Sequence, residues 1–345
     1  IVPPDLAVLG GGKDLIFSVL RLFFIALAIS LLFLGGIPKN KLILIFLFIS
    51  VAVFISRVLL DGNIQSQIIY IAAGAILASY IYGHHLAFKD KLIEFSFYLY
   101  TVQCLVFSFL VTDFTRLSSF VNDSNYTALF LIFFFHYFFY KKKVILIWVV
   151  ILLGILTFSR AFILSILIYV VVDKLKKINI LYKFNLMSFF CYILLVLFSF
   201  FIILVVFKNG LPGYEQKFGF ERILNLFDRS NWIRFTANMK VFQNFDSYFF
   251  FFGNQFDIPI FIDEFPDKSI YPHNLFLSLT YKSGLIVGVF YLLILNSYFD
   301  SNDLSLVYSL LVFQLFLGFG SYYGVFLPLI VIFSNHYSST HPKGI

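Results

Sequence analysis

The chain alternates apolar runs near twenty residues long with short breaks that collect lysine, and few solvents let such a pattern fold. The runs fall at roughly 15–36, 42–60, 64–83, 92–112, 124–139, 144–158, 161–172, 184–207, 274–299, 304–320 and 322–337. Residues that turn a chain close them: Gly35-Gly36-Ile37-Pro38 ends the first, and Asp61-Gly62-Asn63 parts the second from the third. Charged side chains make up 12% of the 345 residues, against roughly 25% in a soluble domain. With 61% hydrophobic and 21% aromatic residues, there is too little polar surface to cover a water-facing globule. The expected fold is an all-α polytopic membrane protein. It is a single integral membrane domain over 1–345, with about eleven transmembrane helices and one large loop at 208–272.

Orientation follows from the lysines. If the spans alternate, Lys39 and Lys41, Lys89 and Lys91, Lys141 to Lys143, and Lys174, Lys176, Lys177 and Lys183 share one side. Cytoplasmic loops carry such an excess, so that side is expected to be cytoplasmic. The other side holds Asp61, Asp113, Arg116, Asp123 and the loop from Lys208 to Pro272. One step is ambiguous. Lys143 and Asp173 are about thirty residues apart, roughly 45 Å as one helix against an apolar core of about 30 Å. A tilted single span and a hairpin of two short spans both fit, and lysines at both ends favour the hairpin. The chain begins Ile1-Val2-Pro3-Pro4 without Met, so a twelfth span ahead of it is expected in a longer protein.

The net charge of +7 does not point to nucleic acid, because the basic residues lie in clusters between apolar runs. Cys104 and Cys191 sit inside such runs, which argues against a structural disulfide or a cysteine metal site. No Asp-x-Asp pair and no His, Asp or Glu set has metal-ligand spacing, so no metal or cofactor is expected. Within the long loop, Glu221 to Phe245 reads as helical from apolar residues at Ile223, Leu224, Phe227, Ile233, Met239 and Phe242. The loop is expected to lie on the membrane as a cap.

Few residues are placed to carry chemistry. Thr157-Phe158-Ser159-Arg160 stands at the tip of the hairpin, and an arginine among apolar residues needs an anion or water. Snorkelling from a short helix end answers the same need, so this motif alone leaves both roles open. Arg222, Arg229 and Arg234 add planar forks suited to phosphate oxygens, with local loop pairing as the alternative. His273 follows Pro272 where the loop re-enters the membrane, and a neutral imidazole can accept a proton from an attacking hydroxyl. A capping role for His273 and Asn274 at the next helix competes. His84, His85, His136, His336 and His341 carry less weight, and Arg57 with Asp61 reads as a local pair.

Taken in chain order, these pieces resemble the O-antigen ligase-like superfamily of bacterial O-antigen polymerases and ligases. The residues are Thr157-Phe158-Ser159-Arg160-Ala161, a lysine-bounded span, the long loop, then Pro272-His273-Asn274-Leu275-Phe276-Leu277 and Ser283-Gly284-Leu285. Ser230-Asn231-Trp232-Ile233-Arg234 with Gly253 downstream is similar to that family's arginine-bearing helix leading to a glycine turn. The likeness is close over 144–299 and elsewhere rests on hydropathy. Two departures stand out: Tyr248 to Phe252 precede Gly253 where small residues are common, and Asn238 replaces a frequent aromatic.

The resemblance implies a fold similar to lipid-dependent, GT-C-like glycosyltransferases. It also implies metal-independent, inverting glycan transfer from undecaprenyl pyrophosphate at the periplasmic face of the bacterial inner membrane. His273 would be the general base. Arg160 and Arg234 would offset charge growing on the pyrophosphate, with Arg222, Arg229, Ser159 and Asn274 binding substrate. The implied partners are an undecaprenyl-pyrophosphate-linked oligosaccharide, the lipid bilayer and a chain-length regulator, with no nucleic acid. Polymerisation of O-antigen or related repeat units is the first reading, on a bias toward Phe and Ile and toward Lys over Arg. Ligation of finished polysaccharide to lipid A core is the alternative. A flippase for lipid-linked oligosaccharide belongs to another class and predicts ionisable residues deep in several spans. A noncatalytic scaffold predicts that no single loop residue is essential.

Overall fold

The computed structural model describes residues 13–35, 41–61, 66–83, 89–111, 116–119, 124–177, 233–234, 236–238, 240, 253, 260–262, 265–270, 275–297, 303–316 and 323–334. Ten helices and one two-stranded ribbon lie among the described residues. They are α1 (Lys13–Gly35), α2 (Lys41–Asp61), α3 (Ser66–Gly83), α4 (Lys89–Val111), α5 (Ser124–Tyr140), α6 (Val144–Leu156), α7 (Arg160–Lys177), β1 (Ile260–Ile262), β2 (Phe265–Ile270), α8 (Leu275–Ser297), α9 (Leu304–Phe316) and α10 (Tyr323–Phe333). Each of the ten helices matches one predicted apolar run to within a few residues. The run at 184–207 and most of the loop lie outside the described residues. By length and composition, one helix, Lys89–Leu110, is apolar enough to cross a bilayer on its described residues, and several shorter apolar helices accompany it.

The ambiguous stretch is a hairpin. The helix does not run through: α6 stops at Leu156 and α7 starts at Arg160. Asn125 near the start of α5 meets Ser159 just ahead of α7, and His136 further along α5 meets Tyr169 of α7. The two helices are therefore parallel, with α6 returning between them. Lysines gather at the other end. Lys141 reaches Asp90 at 2.6 Å, Lys143 reaches Glu94 at 2.5 Å, and Lys89 donates to the Ser334 carbonyl at 2.7 Å. These contacts bring the start of α4, the α5–α6 turn and the end of α10 together. Lys174, Lys176 and Lys177 close α7 at the same end, where cations also suit the helix dipole.

α5 is the central helix. Every residue from Ser124 to Phe138 is buried except Tyr126 and Phe130, as expected of a helix apolar on all sides. Its rings pack edge-on: Phe138 against Phe97 of α4 at 4.8 Å, and Phe135 against Tyr169 at 5.1 Å. α9 packs on α7, and α10 and α1 on α3. The perimeter is apolar too. Phe33 is 85% exposed and Ile145 80%, with Phe48, Phe109, Leu110 and Trp148 also outward.

Two features depart from plain helix. Strands β1 and β2 form an antiparallel hairpin inside the loop, a local addition to an otherwise all-α fold. Ile260-Phe261-Ile262 favours an extended ribbon. Pro266, with no N–H to donate, falls where the register jumps from Ser269 to Phe265. The second is Gly284, which breaks α8 with φ 83° and ψ 161°, a conformation open essentially to glycine alone. Gly284→Ala is expected to cost about 1–3 kcal/mol in thermal unfolding of the purified protein. Gly288→Ala is the control: its methyl would meet Thr280 and Leu279 no closer than 3.5 Å, so it should be neutral or mildly stabilising.

Candidate functional site

The hairpin tip is built from backbone caps. Thr157 donates its hydroxyl to the Gly154 carbonyl at 2.6 Å, and the Phe158 N–H closes on the Ile155 carbonyl at 2.9 Å. Phe158 then takes φ 50°, the left-handed cap position where glycine or asparagine is usual. A bulky residue held there stores strain, which its surroundings must over-determine. Ser159 donates its N–H to the Thr157 hydroxyl at 3.3 Å. Its carbonyl takes the N–H groups of Phe162 and Ile163, so α7 begins at once. Arg160 is thereby fixed in the first turn of α7, half-buried, beside the buried Thr157 and Ser159.

Two elements support the tip. Residues 116–119 lie along it: the Leu117 N–H donates to the Leu156 carbonyl at 2.9 Å, and Arg116 Nε donates to the Thr157 carbonyl at 3.1 Å. That segment is held in turn by Ser108, which bonds both the N–H and the carbonyl of Ser118. Thr127 receives the Ser119 N–H at 2.8 Å. From the other side, Ser159 Oγ donates to Asn125 Oδ1 at 3.3 Å. Two arginines, Arg116 and Arg160, thus flank one rigid turn at the end of the bundle opposite the lysines. Planar guanidinium forks beside a helix N-terminus suit an anion with several oxygens.

A groove of about 370 Å³ opens between α4, α5 and α10. Its walls are mainly apolar, with Leu92, Phe130, Phe134 and Phe333, and its polar groups are Ser96, Tyr100, Gln103 and Ser119. Ser119 belongs to the segment that supports the arginine-bearing turn. Tyr100 donates to the Thr127 carbonyl at 3.4 Å, so the groove wall and the tip share one hydroxyl network.

Of the expected site residues, Ser159 and Arg160 come together as described. Arg234 sits half-buried in a helical segment with the buried Ala237 and Asn238, as the loop helix predicts. Gly253 is buried with φ 79°, the turn conformation expected of it. His273, Asn274, Arg222 and Arg229 lie outside the described residues, and α8 begins two residues beyond His273. Arg116 and Asn125 were not singled out from sequence, because only the packed bundle brings them to Thr157 and Ser159. Among the described residues, no three His, Cys, Asp or Glu side chains cluster to hold a metal ion. No protein-family model, curated protein or solved structure matches the chain.

Proposed function

We propose that this protein is a multi-pass glycosyltransferase of the bacterial inner membrane, polymerising lipid-linked O-antigen or related repeat units from undecaprenyl pyrophosphate. The observation that carries the reading is the turn from Thr157 to Arg160, a buried hydrogen-bonded mount that presents Arg160 with Arg116 alongside. A pyrophosphate leaving group accumulates charge as its bond to sugar breaks, and fixed guanidinium donors stabilise that charge. The acceptor hydroxyl must lose a proton as it attacks, the role assigned to His273. Arg234, Arg222 and Arg229 would supply further contacts from the loop.

The surroundings support a membrane setting. Apolar rings face outward along α1, α2, α4 and α6, which lipid tolerates and water penalises. The gathered lysines fit a cytoplasmic end, which leaves the arginine-bearing turn on the periplasmic side. The apolar groove suits a short stretch of the chain of a lipid-linked donor. An enzyme is preferred over a flippase because, among the described residues, the buried histidine and aspartate lie near one end of the bundle. Asp303 immediately precedes α9, and His136 is one turn from the end of α5.

The test is a lipopolysaccharide gel from the native host with the gene deleted and with His273→Ala. Cores bearing a single repeat unit are expected from both strains. Bare cores with long glycan retained on the polyprenyl carrier would move the assignment to a ligase. An unchanged ladder would remove O-antigen from the proposal.

A further inference from the structure

At the lysine-bearing end, several helices meet around side chains that the proposed reaction does not use. His136 of α5 is 1% exposed and Asp303, immediately ahead of α9, is 0% exposed. His136 Nδ1 lies 2.7 Å from the Tyr169 hydroxyl of α7, and Nε2 lies 3.3 Å from Asp303 Oδ1. Lys89, at the start of α4, interacts electrostatically with Asp303 and holds the Ser334 carbonyl beyond α10. Each ring nitrogen thus has one partner, Nε2 the Asp303 carboxylate and Nδ1 the Tyr169 hydroxyl. One imidazole thereby joins α5 to α7 and α9.

We infer that Tyr169, His136 and Asp303 are positioning residues that set the axial register of α5 against α7, and through it the seat of Arg160. The parallel pair is tied by a polar contact near each end, Asn125 with Ser159 and His136 with Tyr169. On α5 these anchors are eleven residues apart, about three turns or roughly 16 Å, so both lie on one face. Between them the packing is carried by apolar side chains such as Ile132, Phe135 and Phe162. Apolar surfaces hold helices together but discriminate poorly between neighbouring registers, whereas a buried directional bond accepts one. Ser309 adds the same kind of pin, donating to the Ser165 carbonyl at 2.9 Å to hold α9 on α7. Well-packed apolar residues in place of the His136–Asp303 pair would hold the bundle comparably. What the polar version adds is a defined register, transmitted along rigid helices to the Ser159–Arg160 turn.

This inference rests on the reading of that turn as the reactive end, so its test carries a readout independent of glycan transfer. In the full-length chain in native membranes, Arg160→Cys, which leaves the Asn125–Ser159 tie intact, is introduced and its maleimide labelling rate is measured above the background of Cys104 and Cys191. His136→Leu/Asp303→Leu removes both polar groups together, and its thermal unfolding is expected to stay close to the parent's. Labelling at position 160 should rise about tenfold as the turn loses its fixed seat. With Arg160 restored, turnover should fall roughly tenfold or more at unchanged KM, since a small misplacement of a reacting group is costly. His136→Gln, which can donate to Asp303 and accept from Tyr169, should recover part of both. Unchanged labelling in the folded double variant would overturn the inference whatever the activity does. Raised labelling with unchanged turnover would uphold the register role and count against Arg160 as the reactive end. Should the double variant fail to fold, Tyr169→Phe makes the same comparison with one hydroxyl removed. Raised labelling there supports the inference and parent-like labelling overturns it.

Discussion

Gly154→Ala is expected to destabilise the protein by about 2–3 kcal/mol, a large cost for one methyl group. A Cβ on Gly154 would stand 2.6 Å from Phe162 Cδ1 and nearer still to Cε1 and Cζ. The ring cannot swing clear, because Phe162 is 1% exposed and packed into the core. Relief must come from parting α6 and α7, and the Gly154 carbonyl holds both the N–H and the hydroxyl of Thr157. The strain therefore reaches the arginine-bearing turn. Thermal unfolding of purified Gly154→Ala, Phe162→Leu and the double variant provides the check. The smaller side chain should make room for the methyl, so the double variant is expected to lose less than the sum of the singles. Strict additivity would mean that the two residues do not meet.

Arg160→Ala is expected to lower the rate of the proposed glycan transfer by roughly 10²–10³, the usual consequence of removing a fixed donor from developing negative charge. Arg160→Lys should keep the charge and lose the fork, and so recover only part of that rate. Arg116→Ala should do less, because Arg116 spends Nε on the Thr157 carbonyl and acts partly by holding the turn. Initial rates on lipid-linked repeat units in proteoliposomes, with each variant at parental abundance, would rank the three. A normal rate from Arg160→Ala would end its assignment to the pyrophosphate and leave snorkelling as the explanation of its place.

The proposed membrane setting gives the two substitutions different meanings. Gly154 bears on whether the hairpin packs, while Arg160 bears on what the packed hairpin does. Measuring abundance beside rate separates them, since Arg160 is half-buried at a helix start and its side chain leaves the Gly154–Phe162 contact untouched.

Much of the architecture was legible in the residues themselves. Apolar runs located ten described helices, and lysines at both ends of 143–173 favoured the hairpin over one long helix. Arg160 drew attention as a charge where apolar residues dominate. These inferences succeed because transfer of side chains out of water and backbone self-bonding are local, nearly additive effects. The ribbon at 260–270 was not foreseen, since a three-residue apolar strand within a polar loop carries too weak a pattern. His136 was ranked low because nothing within its helix marks it, and Asp303 lies 167 positions away. Likewise Asn125 and Arg116 acquire meaning only from Ser159 and Thr157. By itself the sequence determined which segments are helical, where they end and which ends gather lysine, because each depends on short-range chemistry. The tertiary structure alone decided which helix is central, the parallel pairing of α5 with α7, and the joining of Tyr169, His136 and Asp303. A buried polar contact is specified by two distant segments arriving in one register, and no local pattern encodes that arrival.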